Sequence, residues 1–362
     1  MKSQQLWFSG PHSVEVREKE LQVSGARDVL VKNVCSAISA GTEMLVFRDQ
    51  LPDSLALDDG IEALSGQAVQ YPLQYGYACV GKVEAIGEDV EPNWFGRTVF
   101  SFQPHCSSFL ATPAALIPVP ADIDPYAAVF LANMETAVNF LLDASPKVGE
   151  RVLIVGQGIV GLLTSSLLAQ FPLAGLFAVE GIGDRQRWAE KIGVNKVFDV
   201  NQLDEMADLH SALRLNEQHG GADLIIEVSG SPEALNLAID LCGYAGRILV
   251  GSWYGTKRAA INLGERFHRN RMQIVSTQVS SIAPENSGRW DPGRRFEVAW
   301  EMIRRCQPEQ FISHRFSLAS AGQAYELLDK NAGEALQVVF DYDRCSDRPP
   351  TAVPGCSTEK NR

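Results

Sequence analysis

The sequence predicts an α/β protein in which a doubly wound parallel sheet follows a mainly-β module. Three observations lead there. From Arg151 onward, short apolar runs (RVLIVG, LFAVE, DLIIEVSG, GRILVG) alternate with segments of helical spacing, as buried parallel strands with helical crossovers do. A glycine-rich turn, Gly156-Gln157-Gly158-Ile159-Val160-Gly161, joins the first of these runs to the first helical segment. Before residue 120 the pattern differs, with short β-type runs separated by glycines.

In the first module the β-type runs are 29–34, 78–86, 97–102 and 116–119, and the acidic insert 52–66 reads as a loop or short helix. The stretch DPYAAVFLANMETAVNFLLDA predicts one helix, capped by Asp124 with Pro125 in its first turn. In the second module, helices are expected up to Gln170, near Arg185 to Ile192 and near Pro232 to Cys242, with MQIVSTQV as the closing strand. Asp291 and Pro292 start another helix, and residues 312–342 end in a strand that returns to the first module. The expected division is therefore 1–125 for the β-rich domain, 126–282 for the parallel-sheet domain with a bridging helix, 283–343 for the return, and 344–362 as a flexible polar tail.

Composition narrows the class. A chain of 362 residues with 45% hydrophobic and 21% charged residues fits a two-domain globular enzyme. Its formal charge of −12 argues against a nucleic-acid partner, which needs a cationic face. No apolar run approaches the ~20 residues of a membrane helix, and the N-terminus lacks a signal core, so a soluble cytoplasmic protein without membrane contact is expected. Seven scattered cysteines without a CxxC pair read as reduced thiols.

The glycine turn is the most specific signal. Gly156, Gly158 and Gly161 suit, in order, a tight turn, close approach of pyrophosphate, and helix-on-strand packing, with Ile159 and Val160 opening the helix whose N-terminus meets the negative charge. Glu180, nineteen residues after Gly161, ends the next strand, where a carboxylate accepts ribose hydroxyls and repels a 2′-phosphate; NAD is the expected cofactor. Arg185 and Arg187 would face such a phosphate if their loop folds back, which leaves NADP open.

This order of motifs, with the C-terminal LLDKNAGEALQVVF, resembles the medium-chain dehydrogenase/reductase superfamily over nearly residues 5 to 343. The resemblance implies a GroES-like catalytic domain built from both chain ends, a Rossmann domain between them, and an active site in the intervening cleft. Zinc-type members carry Gly-His-Glu where this chain has Gly76, Tyr77 and Ala78. Their first ligand, a cysteine, matches the segment Ala37-Ile38-Ser39-Ala40-Gly41-Thr42-Glu43, and their third lies four residues before a cofactor-contacting threonine, here Ala132 before Thr136. The matched positions lack ligand chemistry and the structural-zinc region has only Cys106, so no zinc is expected at either site. Among zinc-lacking branches, ISAGTEMLVFR, YPLQYGYACVGKVE, Pro104-His105, ANMETAVN and RWD…RR are most similar to the branch containing bacteriochlorophyllide dehydrogenase.

Without a metal, hydrogen-bond donors must stabilise the alkoxide that hydride transfer creates or consumes. Tyr77 is the first candidate, as proton donor or as an aromatic filling the metal's space. Thr42 matches a relay hydroxyl, Ser39 lies beside it, Glu43 matches an acid that supports zinc in relatives, and His105 offers an imidazole. Asn133 and Glu135 stand as candidates to approach nicotinamide or substrate. The cluster Arg266, His268, Arg269 and Arg271 reads as a carboxylate site or a solvated flank. The expected function is zinc-independent, NAD(P)-dependent interconversion of an alcohol and a ketone or aldehyde. Alternatives are enone or quinone reduction, oxidation of a hydroxyethyl tetrapyrrole, and a non-catalytic redox sensor. By analogy, a homodimer paired through MQIVSTQV is expected.

Overall fold

The computed structural model describes residues 2–22, 25–52, 64, 66 and 68–343, with the backbone of Thr351–Ala352. Most of the acidic insert and of the C-terminal tail lies outside the described residues. Two compact units form, one from Met1–Ala132 with Gln307–Arg362, the other from Asn133–Cys306.

The first unit is mainly β. Strands β1 (Lys2–Gly10) and β2 (Ser13–Glu20) make an antiparallel hairpin. β3 (Val29–Ala37), the short helix α1 (Glu43–Phe47), β4 (Cys79–Ile86), β5 (Thr98–Ser101), β6 (Ser108–Ala111), β7 (Ile117–Pro118) and α2 (Pro125–Ala128) follow. The four anticipated runs are strands β3, β4, β5 and β7. Alternation explains β3: Val29 and Val31 enter the core while Lys32 points outward.

The second unit opens within α3 (Leu131–Ala144). It continues through β8 (Arg151–Val155), α4 (Ile159–Leu168), β9 (Gly175–Val179), α5 (Gly183–Lys191), β10 (Lys196–Phe198), α6 (Leu203–Ala212), β11 (Ala222–Glu227), α7 (Ala234–Leu241), β12 (Cys242–Val250), β13 (Gln273–Ser276) and α8 (Pro292–Cys306). Its six strands pair in the order β10-β9-β8-β11-β12-β13, all parallel. The order reverses between β8 and β11, the switch point at which doubly wound sheets bind ligands. This is the expected Rossmann architecture.

The chain then re-enters the first unit with β14 (Ile312–Phe316), α9 (Ala321–Lys330) and β15 (Gln337–Asp341). β15 lies antiparallel to β3, so the C-terminal segment completes the first sheet, and Thr351–Ala352 adds a short antiparallel pairing to β14. A shared core joins Met44, Leu45 and Phe47 of α1 to Tyr325 and Leu328 of α9 and Phe340 of β15.

Three details differ from the sequence reading. The single helix expected from Asp124 divides into α2 and α3, although Asp124 does cap, its Oδ1 accepting the Tyr126 N–H at 2.8 Å. The second unit begins at Asn133 and runs to Cys306, rather than spanning 126–282. α8 stays with it because Arg295, buried, reaches Glu135 of α3 at 2.7 Å and the carbonyls of Val279 and Ser281 at 2.6 and 3.3 Å.

Candidate active site

The two units each present a polar site, one of hydroxyl, carboxylate and imidazole groups, the other a glycine turn. In the first unit the turn from Ser39 into α1 is tight: the N–H groups of Thr42 and Glu43 both donate to the Ser39 carbonyl, at 3.1 and 2.8 Å. Glu43 reaches back in the manner of a capping box, its Oε1 accepting the Ser39 N–H at 2.7 Å. Two hydroxyls, Ser39 Oγ and Thr42 Oγ1, are thereby presented from one turn. Tyr77, just before β4, donates its phenol to Ser39 Oγ at 2.5 Å and lies 3.2 Å from Thr42 Oγ1. All three residues are only partly buried.

Beneath this turn lies a network buried except at its Tyr342 end. Glu43 Oε2 accepts from the Tyr325 hydroxyl at 2.5 Å and from His105 Nε2 at 3.0 Å. His105 Nδ1 meets Ser36 Oγ at 2.7 Å, and Ser36 Oγ meets the Tyr342 hydroxyl at 2.8 Å. One arrangement of hydrogens satisfies every contact: Tyr342 donates to Ser36, Ser36 to Nδ1, and Nε2–H to the Glu43 carboxylate. Burial, then the Glu43 charge, pushes the Tyr325 phenol well above its ordinary value, so it serves as a donor and not as an acid. His105 and Glu43 are both fully shielded from solvent. A histidine expected at a loop is thus held in the core, edge-on to Phe340 with ring centroids 5.0 Å apart. Gly76 makes room for it: with φ at +115°, a Cβ there would lie 2.8 Å from the imidazole Cδ2.

The five residues singled out in the first module, Ser39, Thr42, Glu43, Tyr77 and His105, therefore share one connected cluster. The residues at the matched zinc positions do not fit the metal. At the first matched position stands Ser39, whose hydroxyl is taken up by Tyr77, or Ala40, which has no donor atom; Ala132 has none either, and Tyr77 offers a phenol already engaged with two hydroxyls. Among the described residues no group of three or more His, Cys, Asp or Glu side chains is placed to hold a metal ion.

In the second unit the turn after β8 has the geometry its glycines suggested. Gly156 has φ +98°, and a Cβ on it would stand 2.7 Å from the Ser229 Cα; one on Gly161 would stand 2.2 Å from the Gly156 carbonyl oxygen. Gly158 caps α4 and faces open space, with no atom within 4 Å of an added Cβ. Ile159 and Val160 form the first turn of α4. The donor set suits a dinucleotide: exposed helix N–H groups for pyrophosphate and a carboxylate beyond the next strand. That carboxylate, Glu180, accepts the Gln157 N–H at 2.7 Å and the Ile182 N–H at 2.9 Å, one per oxygen, which leaves lone pairs for further donors. Arg185 sits on α5 within reach of the Glu180 field; burial lowers its pKa and Glu180 opposes that. Arg187 instead pairs with Asp184 on the surface. Thr136 lies half-buried on α3.

Glu135, a candidate for nicotinamide or substrate, is otherwise employed: it pairs with Arg295, which also donates to Asn139 at 2.7 Å. Sequence reasoning passed over Glu227, whose Oε1 accepts from the Ser229 N–H and hydroxyl at 2.8 and 2.5 Å and whose Oε2 accepts from Tyr254. It fixes the loop that abuts Gly156. Its signal was the acidic residue ending the apolar run DLIIE, where a buried charge needs such donors. Tyr325, Ser36 and Tyr342 were likewise missed, since each meets its partner in the network across a long stretch of sequence: Tyr325 meets Glu43, Ser36 meets His105 and Tyr342 meets Ser36. Arg266 of the basic cluster donates to the Cys242 carbonyl at 3.1 Å, a structural use.

Known proteins resemble this chain in sequence and fold. The zinc-binding dehydrogenase family matches residues 160–290. D-guloside 3-dehydrogenase of Escherichia coli K12 is 23% identical over 92% of this chain and 98% of its own. Two crystal structures from the same species share the fold over 94% of this chain and 99% of theirs: L-idonate 5-dehydrogenase, with a TM-score of 0.75 at 16% identity, and an alcohol dehydrogenase of strain CFT073 complexed with NADH, with 0.74 at 16%. With a Rossmann unit carrying an intact glycine turn and a mainly-β unit completed by both chain ends, the chain is similar over more than nine-tenths of its length to zinc-type alcohol dehydrogenase-like proteins of the medium-chain dehydrogenase/reductase superfamily.

Proposed function

We propose that this protein is a zinc-independent, NAD(P)-dependent oxidoreductase that interconverts a secondary alcohol and its ketone, with NAD the preferred nucleotide. The observation that carries this reading is the convergence of the Tyr77 phenol with the Ser39 and Thr42 hydroxyls at residues matching a metal site that has lost its ligands. The relation to a sugar-glycoside dehydrogenase supports a secondary alcohol as the reacting group. Glu180 supports NAD, because its buried carboxylate repels a 2′-phosphate and Arg185 is partly offset by that same charge.

When bound, the nicotinamide supplies or accepts the hydride. In the reducing direction Tyr77 Oη gives its proton to the substrate oxygen as negative charge develops there. Ser39 Oγ and Thr42 Oγ1 then rotate their hydrogens toward the phenolate and hold it until a proton returns. Glu43 and His105 lie beneath this exchange. A phenol is by nature a better acid than base at neutral pH, so ketone reduction is the direction to assay first.

The reading extends to a cytoplasmic homodimer. β13 is the edge of the parallel sheet, and its Val275 is 40% exposed, as an edge awaiting a second copy would be. Tyr77→Phe is the direct test, assayed with deuterated NADH and a panel of aliphatic ketones, keto sugars and enones. Turnover should fall roughly 10²–10⁴-fold, the span of general acid catalysis, with NADH affinity unchanged and deuterium on the carbinol carbon. Parent-level turnover by the variant would refute the assignment, and deuterium on a β-carbon would make the enzyme an enone reductase.

A further inference from the structure

We propose that Glu43 and His105 are positioning residues, which hold the Ser39 turn so that two hydroxyls meet Tyr77, and that neither passes a proton to substrate. The inference rests on the reading of Tyr77 as the proton donor and adds how that phenol is kept in place.

Geometry separates the two layers. The Tyr77 phenol touches the Ser39 and Thr42 hydroxyls, whereas the Glu43 carboxylate meets this turn at the Ser39 backbone N–H, an amide that does not relay protons. The carboxylate accepts from that N–H on one oxygen and from Tyr325 and His105 on the other, three donors from three separate parts of the chain. Both imidazole nitrogens are engaged, on Glu43 and on Ser36. Tyr325 and Tyr342, the other titratable groups in the network, are both held protonated by burial. The cluster therefore acts as a clamp across the first unit: α9 supplies Tyr325, the segment after β15 supplies Tyr342, β3 supplies Ser36, and the segment before β6 supplies His105. Loss of one donor leaves a buried charge short of partners and loosens the Ser39 turn. Misplacement on the scale of 1 Å at a reacting group costs about 10²-fold in rate.

The test uses 3-fluorotyrosine in place of Tyr77 alone, read by fluorine NMR, beside kcat and KM on the best ketone of the panel. His105→Leu removes the donor to Glu43; His105→Gln keeps an N–H donor that cannot titrate. Expected for His105→Leu is a moved or split fluorine resonance and kcat lower by roughly 10–100-fold with KM little changed. His105→Gln should restore a single resonance and most of the turnover. Should His105→Leu not fold, Tyr325→Phe, which removes one hydroxyl at nearly constant volume, is read for the same changes. Parent-like resonance and turnover in both deletions would overturn the proposal. So would His105→Gln losing turnover with its resonance intact, since the imidazole would then carry the proton itself. A resonance that responds as expected in a protein inert toward the whole panel would uphold the clamp and remove the proposed function instead.

Discussion

Replacing Gly158 by alanine adds a methyl group that meets nothing within the protein, because no heavy atom lies within 4 Å of the new carbon. The backbone there, φ −64° and ψ −177°, suits any residue. Without nucleotide the variant should be as stable as the parent or gain about 0.4–1 kcal/mol through the unfolded chain. The open space is at the N-terminus of α4, where the glycine turn admits pyrophosphate. A methyl group intruding on a close-packed contact costs about 1–3 kcal/mol. At 1.4 kcal/mol per factor of ten, that is roughly 5–150-fold weaker binding. Gly161→Ala is the contrasting variant: its methyl would lie 2.2 Å from the Gly156 carbonyl oxygen, so the protein itself must strain. NADH fluorescence titration and thermal melting of both variants separate the effects. The reasoning fails if Gly158→Ala binds NADH with parent affinity, or if it melts earlier than Gly161→Ala.

Burial pushes the Glu135 carboxyl from its ordinary 4.5 up to about 7, although Arg295 opposes this. The folded protein then holds this proton more tightly than the unfolded chain, so the stability it contributes is full below pH 4.5 and is lost as pH rises through 7. Melting temperature against pH should flatten over that window in Glu135→Gln, and an unchanged slope would contradict the assignment. Chelation with EDTA should leave turnover intact, and zinc measured in the purified protein should be well below one per chain; stoichiometric zinc whose removal abolishes turnover would undo the metal-free mechanism. Light scattering at micromolar concentration should give a dimer that a Val275→Lys change at the exposed β13 edge converts to monomer, whereas a monomeric parent would refute the pairing.

Periodicity exposed the parallel sheet because its strands are buried on both faces: RVLIV and DLIIE are nearly continuous apolar runs, and β8 and β11 match them. Less was legible where burial comes from distant partners. β1 and β2 were passed over because Leu6 and Phe8 sit among polar residues and β2 is largely exposed. β10, with three residues, is too short to carry a period. The site followed the same rule. Ser39, Thr42 and Glu43 are neighbours in sequence, so their shared turn could be read; Tyr325 is 282 residues from Glu43 and joins it only through the fold. His105 does lie in the loop before β6 that FQPHCSSF suggested, but the space that Gly76 leaves lets its side chain enter the core.

The proposed zinc-free site and the donors gathered around Glu43 bear on the same chemistry. A carboxylate at position 43 with no water access is costly unless several donors face it, and here a backbone amide, a phenol and an imidazole do. The imidazole fits only because position 76 is glycine at φ +115°, where any side chain would strike the ring. Catalytic zinc needs about three protein ligands, so a histidine at position 77 would supply one, with Ser39 or Ala40 and Ala132 at the other two positions. That variant would gain no metal and would lose the phenol that Ser39 and Thr42 receive. Several substitutions therefore separate this site from a zinc site, and the one at position 77 alone would remove the phenol before a metal could replace it.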